Sequence, residues 1–154
     1  MNVKMDGVEM DVLAVWREGS VVKMVDQRKL PHSFEIIDLK DHKETAWAIK
    51  VMVTRGAGSI GCAAGFGMAQ AALEAAYLPD KDFMVYLNDA ADTIRATRPT
   101  AANLFKAVDK CLEAADWGKV SIKVENIVKA AEYILNDDIK ATEEIAKAGG
   151  RLIK

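Results

Sequence analysis

A segment built almost entirely of small residues constrains the fold of this chain more than any other feature. Residues 59–77 read SIGCAAGFGMAQAALEAAY, which combines helical composition with repeated glycine. Each interior glycine costs a helix roughly 1 kcal/mol relative to alanine. Close packing of neighbouring elements offsets that cost, because small residues let another backbone approach. The sequence therefore predicts a helix at the centre of the folded domain.

The first forty residues have a different pattern, which indicates a small sheet. Residues 10–40 are rich in valine, isoleucine and aromatic residues. Glu18-Gly19 separates two such runs and is typical of a hairpin turn, and Pro31 ends the second run. The third run is SFEIIDL, residues 33–39. We therefore expect an antiparallel sheet of about three strands within residues 1–40.

From Asp41 onward the apolar spacing is helical. Asp41 followed by Glu44 is a capping-box-like helix start. Glycine and proline mark the other expected boundaries: Gly56 and Gly58 end the first helix, Pro99 opens the fourth, Gly118 closes it, and Gly149-Gly150 end a last helix that starts at about Ser121. The predicted fold class is α+β, with a small antiparallel sheet followed by a five-helix bundle. We expect one domain over residues 1–154, with the bundle in residues 41–154.

The composition excludes several classes of function. The chain has 21 Lys+Arg and 23 Asp+Glu, which gives a formal net charge of −2. No strong positive field or stacking platform favours nucleic acid. No apolar run has the length of a membrane span, and the N-terminus lacks the apolar core of a signal peptide. We therefore expect a cytoplasmic protein with neither nucleic acid nor a membrane as partner.

Cysteine and histidine give no indication of a metal site or a catalytic triad. Cys62 and Cys111 lie in apolar helical surroundings, where we expect buried, reduced thiols. His32 lies in a loop and His42 on the first turn of a helix, and neither has an evident Ser, Cys or Asp partner. No Cys or His lies at ligand spacing. We expect no metal ion and no cofactor.

Two arginines stand just before predicted helix starts. Arg55 precedes residues 56–58, a Gly-Ala-Gly segment with almost no side-chain atoms, and Arg98 precedes Pro99. Free backbone N–H groups at a helix start attract anions, and a guanidinium matches the geometry of phosphate. The two arginines could converge on one phosphate-bearing ligand. The common alternative for an arginine at such a place is a surface salt bridge.

A third polar stretch, Asp26-Gln27-Arg28, ends a predicted strand just before Leu30-Pro31. Asp and Gln side chains often hydrogen-bond the backbone groups of a turn. We interpret these residues as a structural turn.

Three stretches together resemble one family. They are DQRKLP at residues 26–31, TRGAGSIGCAAGFGMAQAA at 54–72 and TRPTAANLFKAVD at 97–109. In this order and spacing they resemble the N-terminal domain of the methylthioribose-1-phosphate isomerase family of methionine salvage. That family includes ribose-1,5-bisphosphate isomerases and the regulatory alpha, beta and delta subunits of initiation factor 2B. The resemblance covers most of the chain and implies a sugar-phosphate isomerase lineage.

The resemblance also implies which residues contact the ligand. The family's Arg-Gly-Ala segment corresponds to Arg55, Gly56 and Ala57, and the arginine of its Arg-Pro-Thr-Ala motif corresponds to Arg98. These four residues are the expected substrate-binding residues, and a sugar phosphate is the expected ligand. The isomerases commonly have Pro-Ala where this chain has Gly58-Ser59, and glycine there resembles the bisphosphate branch.

Catalytic residues are not expected in these 154 residues. The family's catalytic cysteine and aspartate lie in a second, Rossmann-like domain, and neither Cys62 nor Cys111 lies in its Thr-His-Cys-Asn-type motif. We therefore expect a substrate-contacting domain that is inactive alone and acts with a C-terminal partner domain or as a homo-oligomer. The alternatives are a stand-alone noncatalytic regulatory module related to the initiation factor 2B subunits, and a helical interaction domain that has lost the ligand.

Overall fold

The computed structural model describes residues 2–5 and 8–153. Its five strands form two antiparallel sheets. One is a hairpin of β1 (Asn2–Met5) and β2 (Val8–Asp11). The other has the order β3-β4-β5, from β3 (Val15–Glu18), β4 (Val21–Val25) and β5 (Ile36–Leu39). The predicted three-stranded sheet and its turn after Glu18 are confirmed, and the hairpin of β1 and β2 is an addition that we did not predict.

Five helices follow the sheet in the described chain, as predicted. The five helices are α1 (His42–Lys50), α2 (Ala57–Glu74), α3 (Asp80–Arg95), α4 (Ala102–Glu113) and α5 (Val120–Gly150). The α+β fold class is therefore confirmed. A single hydrophobic cluster of buried residues runs from the sheet through all five helices.

Helix α1 starts as the sequence predicts but ends earlier. The Asp41 side chain accepts a hydrogen bond from the Glu44 backbone N–H at 2.8 Å, which caps the helix. The expected end at Gly56 and Gly58 is wrong, because α1 stops at Lys50 and Met52 turns the chain with φ +62°. Val53 is buried outside the helix, where its carbonyl accepts a hydrogen bond from the Gln27 backbone N–H at 2.9 Å.

Two other expected boundaries are also wrong. Pro99 does not open α4, because residues 98–101 form a turn in which the Ala101 N–H donates to the Arg98 carbonyl at 3.0 Å. The helix therefore begins at Ala102, and it ends at Glu113, several residues before Gly118. The last helix, α5, includes Gly149 and ends at Gly150.

Helix α2 lies at the centre of the bundle, as its composition predicts. It packs against each of the other four helices and against β3 and β4, and residues 60–72 are all buried. Three of its glycines face three different helices. An added Cβ at Gly61 would lie 3.3 Å from Asn103 of α4, and one at Gly65 would lie 3.1 Å from Ile134 of α5. At Gly67 it would lie 3.0 Å from Ile94 of α3. Because these distances are shorter than ordinary side-chain contacts, glycine at these positions is what allows the neighbouring helices to pack so close to α2.

A buried glutamine joins this central helix to the sheet. The Gln70 Nε2 group donates to the Leu39 carbonyl at 2.8 Å and to the Ser20 carbonyl at 3.1 Å. Its Oε1 atom accepts from the Thr45 Oγ1 hydroxyl at 2.6 Å. A buried amide without partners costs free energy, and here both ends are satisfied. The side chain therefore fixes α2 against the β3–β4 turn, β5 and α1 at once.

We expect Gly65→Val to lower the free energy of unfolding by about 1–3 kcal/mol, because overpacking a close helix contact forces the neighbours apart. The Cβ alone would meet Ile134 and would lie 3.5 Å from the Ala131 Cα, which is backbone and cannot move aside. Urea unfolding measures the change. The control is Gly149→Ala, where an added Cβ meets no heavy atom within 4 Å. Equal stability of the two variants would contradict the assigned packing.

Candidate functional site

Helices α2 and α4 begin at the same end of the bundle. Near their starts, Gly61 of α2 faces Asn103 of α4. Further along both helices, the Cys111 Sγ of α4 lies 3.9 Å from the Gly65 carbonyl oxygen of α2. The two helices therefore run in the same direction. Arg55 precedes α2 and Arg98 precedes α4, so the structure brings both arginines to this shared end.

Neither of these two helix starts is capped by a side chain. The N-cap residues are Gly56 for α2 and Ala101 for α4, and neither makes a side-chain capping hydrogen bond. The first N–H groups of a helix have no partner within it, and they carry the positive end of the helix dipole. This end of the bundle therefore presents two sets of backbone donors in parallel.

The backbone before α2 has a conformation that suits close approach of a ligand. Gly56 has φ +94° and ψ 138°, a region that residues with a Cβ rarely adopt. Its carbonyl accepts the first helical hydrogen bond from the Ile60 N–H at 3.0 Å. Gly56 and Ala57 are exposed. A group that reaches Gly56 or Ala57 meets exposed backbone, and the Asp138 side chain of α5 lies against the next residue, Gly58.

Arg55 and Arg98 make no ion pair with any residue that the structure describes. Three other arginines are paired with carboxylates: Arg17 with Glu132, Arg28 with Asp26, and Arg95 with Asp109. The surface salt bridge that the sequence left open for the two candidates is therefore not formed within the described ranges. Arg151, near the end of α5, also has no carboxylate partner there. The two guanidinium groups at the shared helix end remain free to bind an anion.

The turn at residues 26–28 supports the Arg55 segment. The Gln27 Oε1 atom accepts a hydrogen bond from the Arg55 backbone N–H at 3.2 Å. Asp26 is buried and accepts from Arg28 Nε at 2.8 Å and Nη2 at 2.7 Å. These hydrogen bonds from Arg28 hold the pKa of the Asp26 carboxyl below its ordinary value. The turn is structural, as interpreted, and it also positions the candidate site, which the sequence did not indicate.

The cysteines and His42 contribute nothing to this end of the bundle as nucleophiles or bases. Burial raises the pKa of Cys62 and of Cys111 to about 12, so both are neutral thiols at physiological pH. The His42 Nδ1 atom lies 2.6 Å from Oε2 of Glu74, at the opposite end of α2. Tyr86 donates to the same Glu74 oxygen at 2.7 Å. This group of a buried histidine and two half-buried side chains joins α1, α2 and α3 and contains no Ser, Cys or Asp.

Two other kinds of site are not found in the described part of the chain. No group of three or more His, Cys, Asp or Glu residues there could hold a metal ion. None of the helices there is long and apolar enough to cross a membrane.

Several known proteins are similar to this chain in sequence. A model of the initiation factor 2 subunit family matches residues 53–154. Methylthioribose-1-phosphate isomerase 1 of Pseudothermotoga lettingae is 39% identical over 140 residues, which are 90% of this chain and 40% of that protein. The methylthioribose-1-phosphate isomerase of Chloroflexus aurantiacus is 37% identical over 148 residues. The chain thus spans about two fifths of the length of these relatives.

Two solved structures are similar at the level of the fold. The 5-methylthioribose 1-phosphate isomerase of Pyrococcus horikoshii matches with a TM-score of 0.78 and 32% identity, over 80% of this chain and 36% of that one. The delta subunit of a translation initiation factor 2B from A. fulgidus matches with a TM-score of 0.85 and 32% identity, over 94% of this chain and 42% of that one.

We expect Asp26→Asn to lower the free energy of unfolding by about 1–3 kcal/mol at pH 7, because it breaks buried, charge-assisted hydrogen bonds to Arg28. The folded-state pKa of Asp26 is depressed, so its contribution is present above the ordinary pKa of 3.8 and is lost as pH falls through the lower value. Urea unfolding at pH 7, 5 and 3 should show the difference from wild type shrinking at acid pH.

The matched control is Asp38→Asn, which removes the same charge from an exposed pair with Lys23. Surface pairs contribute about 0–1 kcal/mol. If Asp26→Asn is no more destabilising than Asp38→Asn at pH 7, the buried pair does not hold this turn.

Proposed function

Because the chain belongs to the initiation factor 2 subunit family, we propose that it is the substrate-contacting N-terminal domain of a sugar-phosphate aldose–ketose isomerase. The ligand is a sugar phosphate of the kind named for its relatives, methylthioribose 1-phosphate. The proposal includes residues 1–154 as one domain, a role in methionine salvage and a cytoplasmic location. One observation carries it: two uncapped helix starts lie side by side, and each is preceded by an arginine without an ion pair among the described residues.

The phosphate is bound at the start of α2. Its oxygens accept hydrogen bonds from the backbone N–H groups that follow Gly56, whose positive φ lets the ligand approach. The Arg55 guanidinium adds a planar pair of donors, and Gln27 fixes the backbone from which that side chain extends. Arg98 approaches from the start of α4. Binding therefore combines two helix dipoles with two permanent positive charges.

Proton transfer is assigned to groups outside this site. An aldose–ketose isomerisation moves a proton between neighbouring carbon atoms and needs an acid and a base whose pKa lies near the working pH. A guanidinium stays protonated, and the two thiols are buried with pKa values of about 12. His42 lies at the far end of α2. We propose that a C-terminal partner domain or another copy of the protein supplies the acid and base.

A second candidate function is a noncatalytic regulatory module that binds the same ligand. The observation that favours it is the match to the delta subunit of the A. fulgidus initiation factor 2B over 94% of this chain. Both candidates use the same anion site, so turnover rather than binding separates them.

We expect Arg55→Ala and Arg98→Ala each to weaken binding of methylthioribose 1-phosphate about ten- to hundredfold. A hydrogen bond to a charged group contributes about 1.5–3 kcal/mol, and each 1.4 kcal/mol is tenfold in Kd. Lysine at either position should bind with intermediate affinity, because it keeps the charge and loses the planar fork. Isothermal titration calorimetry on the purified chain measures all four.

The control is Arg151→Ala, which removes an exposed arginine from the end of α5. Its affinity should equal that of the wild type. Unchanged affinity in both the Arg55 and Arg98 variants would refute a shared anion site at the starts of α2 and α4.

We expect no isomerase turnover by the purified 154-residue chain, because the family resemblance places the catalytic cysteine and aspartate in a second domain and both thiols described here are buried. Adding the remaining part of the Pseudothermotoga lettingae relative, as a separate polypeptide, should restore ketose phosphate formation. The readout is a coupled or chromatographic assay of the ketose. Turnover by the chain alone would overturn the assignment of the acid and base. If the mixture forms no ketose phosphate, the result favours the regulatory module.

A further inference from the structure

A cavity of about 320 Å³ lies between α2, α4 and α5, beside the candidate anion site. Its wall includes Gly58, the second residue of α2, and Asn103, the second residue of α4. Helix α5 contributes two carboxylates to the same wall, those of Asp137 and Asp138. The affinity of the anion site therefore depends on where these two negative charges lie.

The Asp138 carboxylate lies against the backbone of Gly58. A Cβ added to Gly58 would lie 2.6 Å from both Cγ and Oδ2 of Asp138, which is far inside van der Waals contact. The carboxylate therefore fills the space that a side chain at residue 58 would take. Its charge also reaches Cys62, one turn further along α2: burial, and after it the charge of Asp138, raises the pKa of that thiol to about 12.

No hydrogen bond holds the carboxylate of Asp138 at this place. Among the described residues it accepts none from the N–H groups of α2 and forms no ion pair, and the side chain is half-buried. It is therefore not a helix cap, although its charge stands at the positive end of the α2 dipole. A phosphate bound at the same helix start would face this charge at close range, and like charges repel each other.

The cavity also offers the carboxylate a second position. Lys106 and Lys110 of α4 line it, and neither forms an ion pair with a described residue. Lys110 lies over the Tyr133 ring, with Nζ 3.7 Å from the ring centroid. Lys106 has no such aromatic partner within the described ranges. Rotation of the Asp138 side chain away from Gly58 breaks no hydrogen bond and brings a negative charge toward these lysines.

We propose that Asp138 is an intramolecular competitor for the anion site. With its carboxylate against Gly58 it opposes a phosphate at the start of α2, and with the carboxylate turned toward Lys106 it admits one. The inference rests on the proposed function, in which the phosphate binds at this helix start. The measured affinity is lowered by the fraction of molecules that hold the opposing arrangement. Asp138 therefore sets how tightly the site binds its ligand.

Two variants remove the carboxylate from this place by different means. Asp138→Asn removes the charge, and Gly58→Ala puts a Cβ where the carboxylate lies and so displaces the end of a side chain rather than backbone. The matched control is Asp137→Asn, which removes the same charge from the neighbouring, exposed residue of the cavity wall. Inorganic phosphate and methylthioribose 1-phosphate are titrated by calorimetry at one fixed salt concentration. We expect both variants to bind inorganic phosphate at least about fivefold more tightly than wild type, and the control to stay within about twofold.

Combined variants test whether these effects have one cause. Gly58→Ala/Asp138→Asn should bind phosphate about as tightly as the tighter single variant, because each change removes the same competitor. Lys106→Met should weaken phosphate binding at least about threefold in the wild-type background and less than about 1.5-fold in Asp138→Asn, because only the wild type has a carboxylate for Lys106 to attract. Additive gains in the double variant would overturn the shared cause. Equal losses in the two backgrounds would show that Lys106 attracts the phosphate directly and would overturn the second position of the carboxylate.

The results separate this inference from the proposed function. If phosphate binds to the wild type in an Arg55-dependent manner, and neither Asp138→Asn nor Gly58→Ala tightens it beyond the Asp137→Asn control, Asp138 is not a competitor and the proposed function stands. If Asp138→Asn binds phosphate, the wild type does not, and Arg55→Ala abolishes that binding, both proposals are supported. If neither the wild type nor Asp138→Asn binds inorganic phosphate or methylthioribose 1-phosphate, both proposals are wrong.

Discussion

The close approach of three helices to the glycine face of α2 is the constraint on which the rest of this structure depends. Gly61, Gly65 and Gly67 leave the space that α4, α5 and α3 fill, and Gln70 fixes the same helix to the sheet. Intrinsic preference does not favour a helix of this composition, so tertiary packing must hold it. Because α4 packs closely and parallel to α2, their two positive ends meet at one place on the surface.

That meeting point differs electrostatically from the rest of the described surface. Elsewhere most arginines are neutralised by a carboxylate, and α1 is capped by Asp41. At the starts of α2 and α4 the N-cap residues make no capping hydrogen bond, and Arg55 and Arg98 have no ion pair among the described residues; the Asp138 carboxylate lies against Gly58 there. An anion of the kind proposed above would offset the positive charge at this end of the bundle.

Much of this architecture could be predicted from sequence, and the failures have specific physical causes. Periodicity and the Asp41 cap predict elements that depend on local patterns, and the motifs at Arg55 and Arg98 predict the candidate site. The end of α1 was missed because Val53 keeps helical spacing while its carbonyl pairs with Gln27, a long-range contact. The N-terminal hairpin was missed although Asp6-Gly7 in the sequence is a hairpin signal. The cavity depends on how α5 crosses α2, which no local pattern encodes.

Helix α5 also has a mechanical property. It has 31 residues, about 46 Å of continuous helix, and residues 141–148 are exposed on every side. No glycine or proline interrupts it from Lys119 to Ala148, so it has no built-in hinge. Asp138 lies on this rod at the point where it leaves the bundle. A displacement of the projecting end of this rod is therefore transmitted to Asp138, the carboxylate that lies against Gly58 at the start of α2.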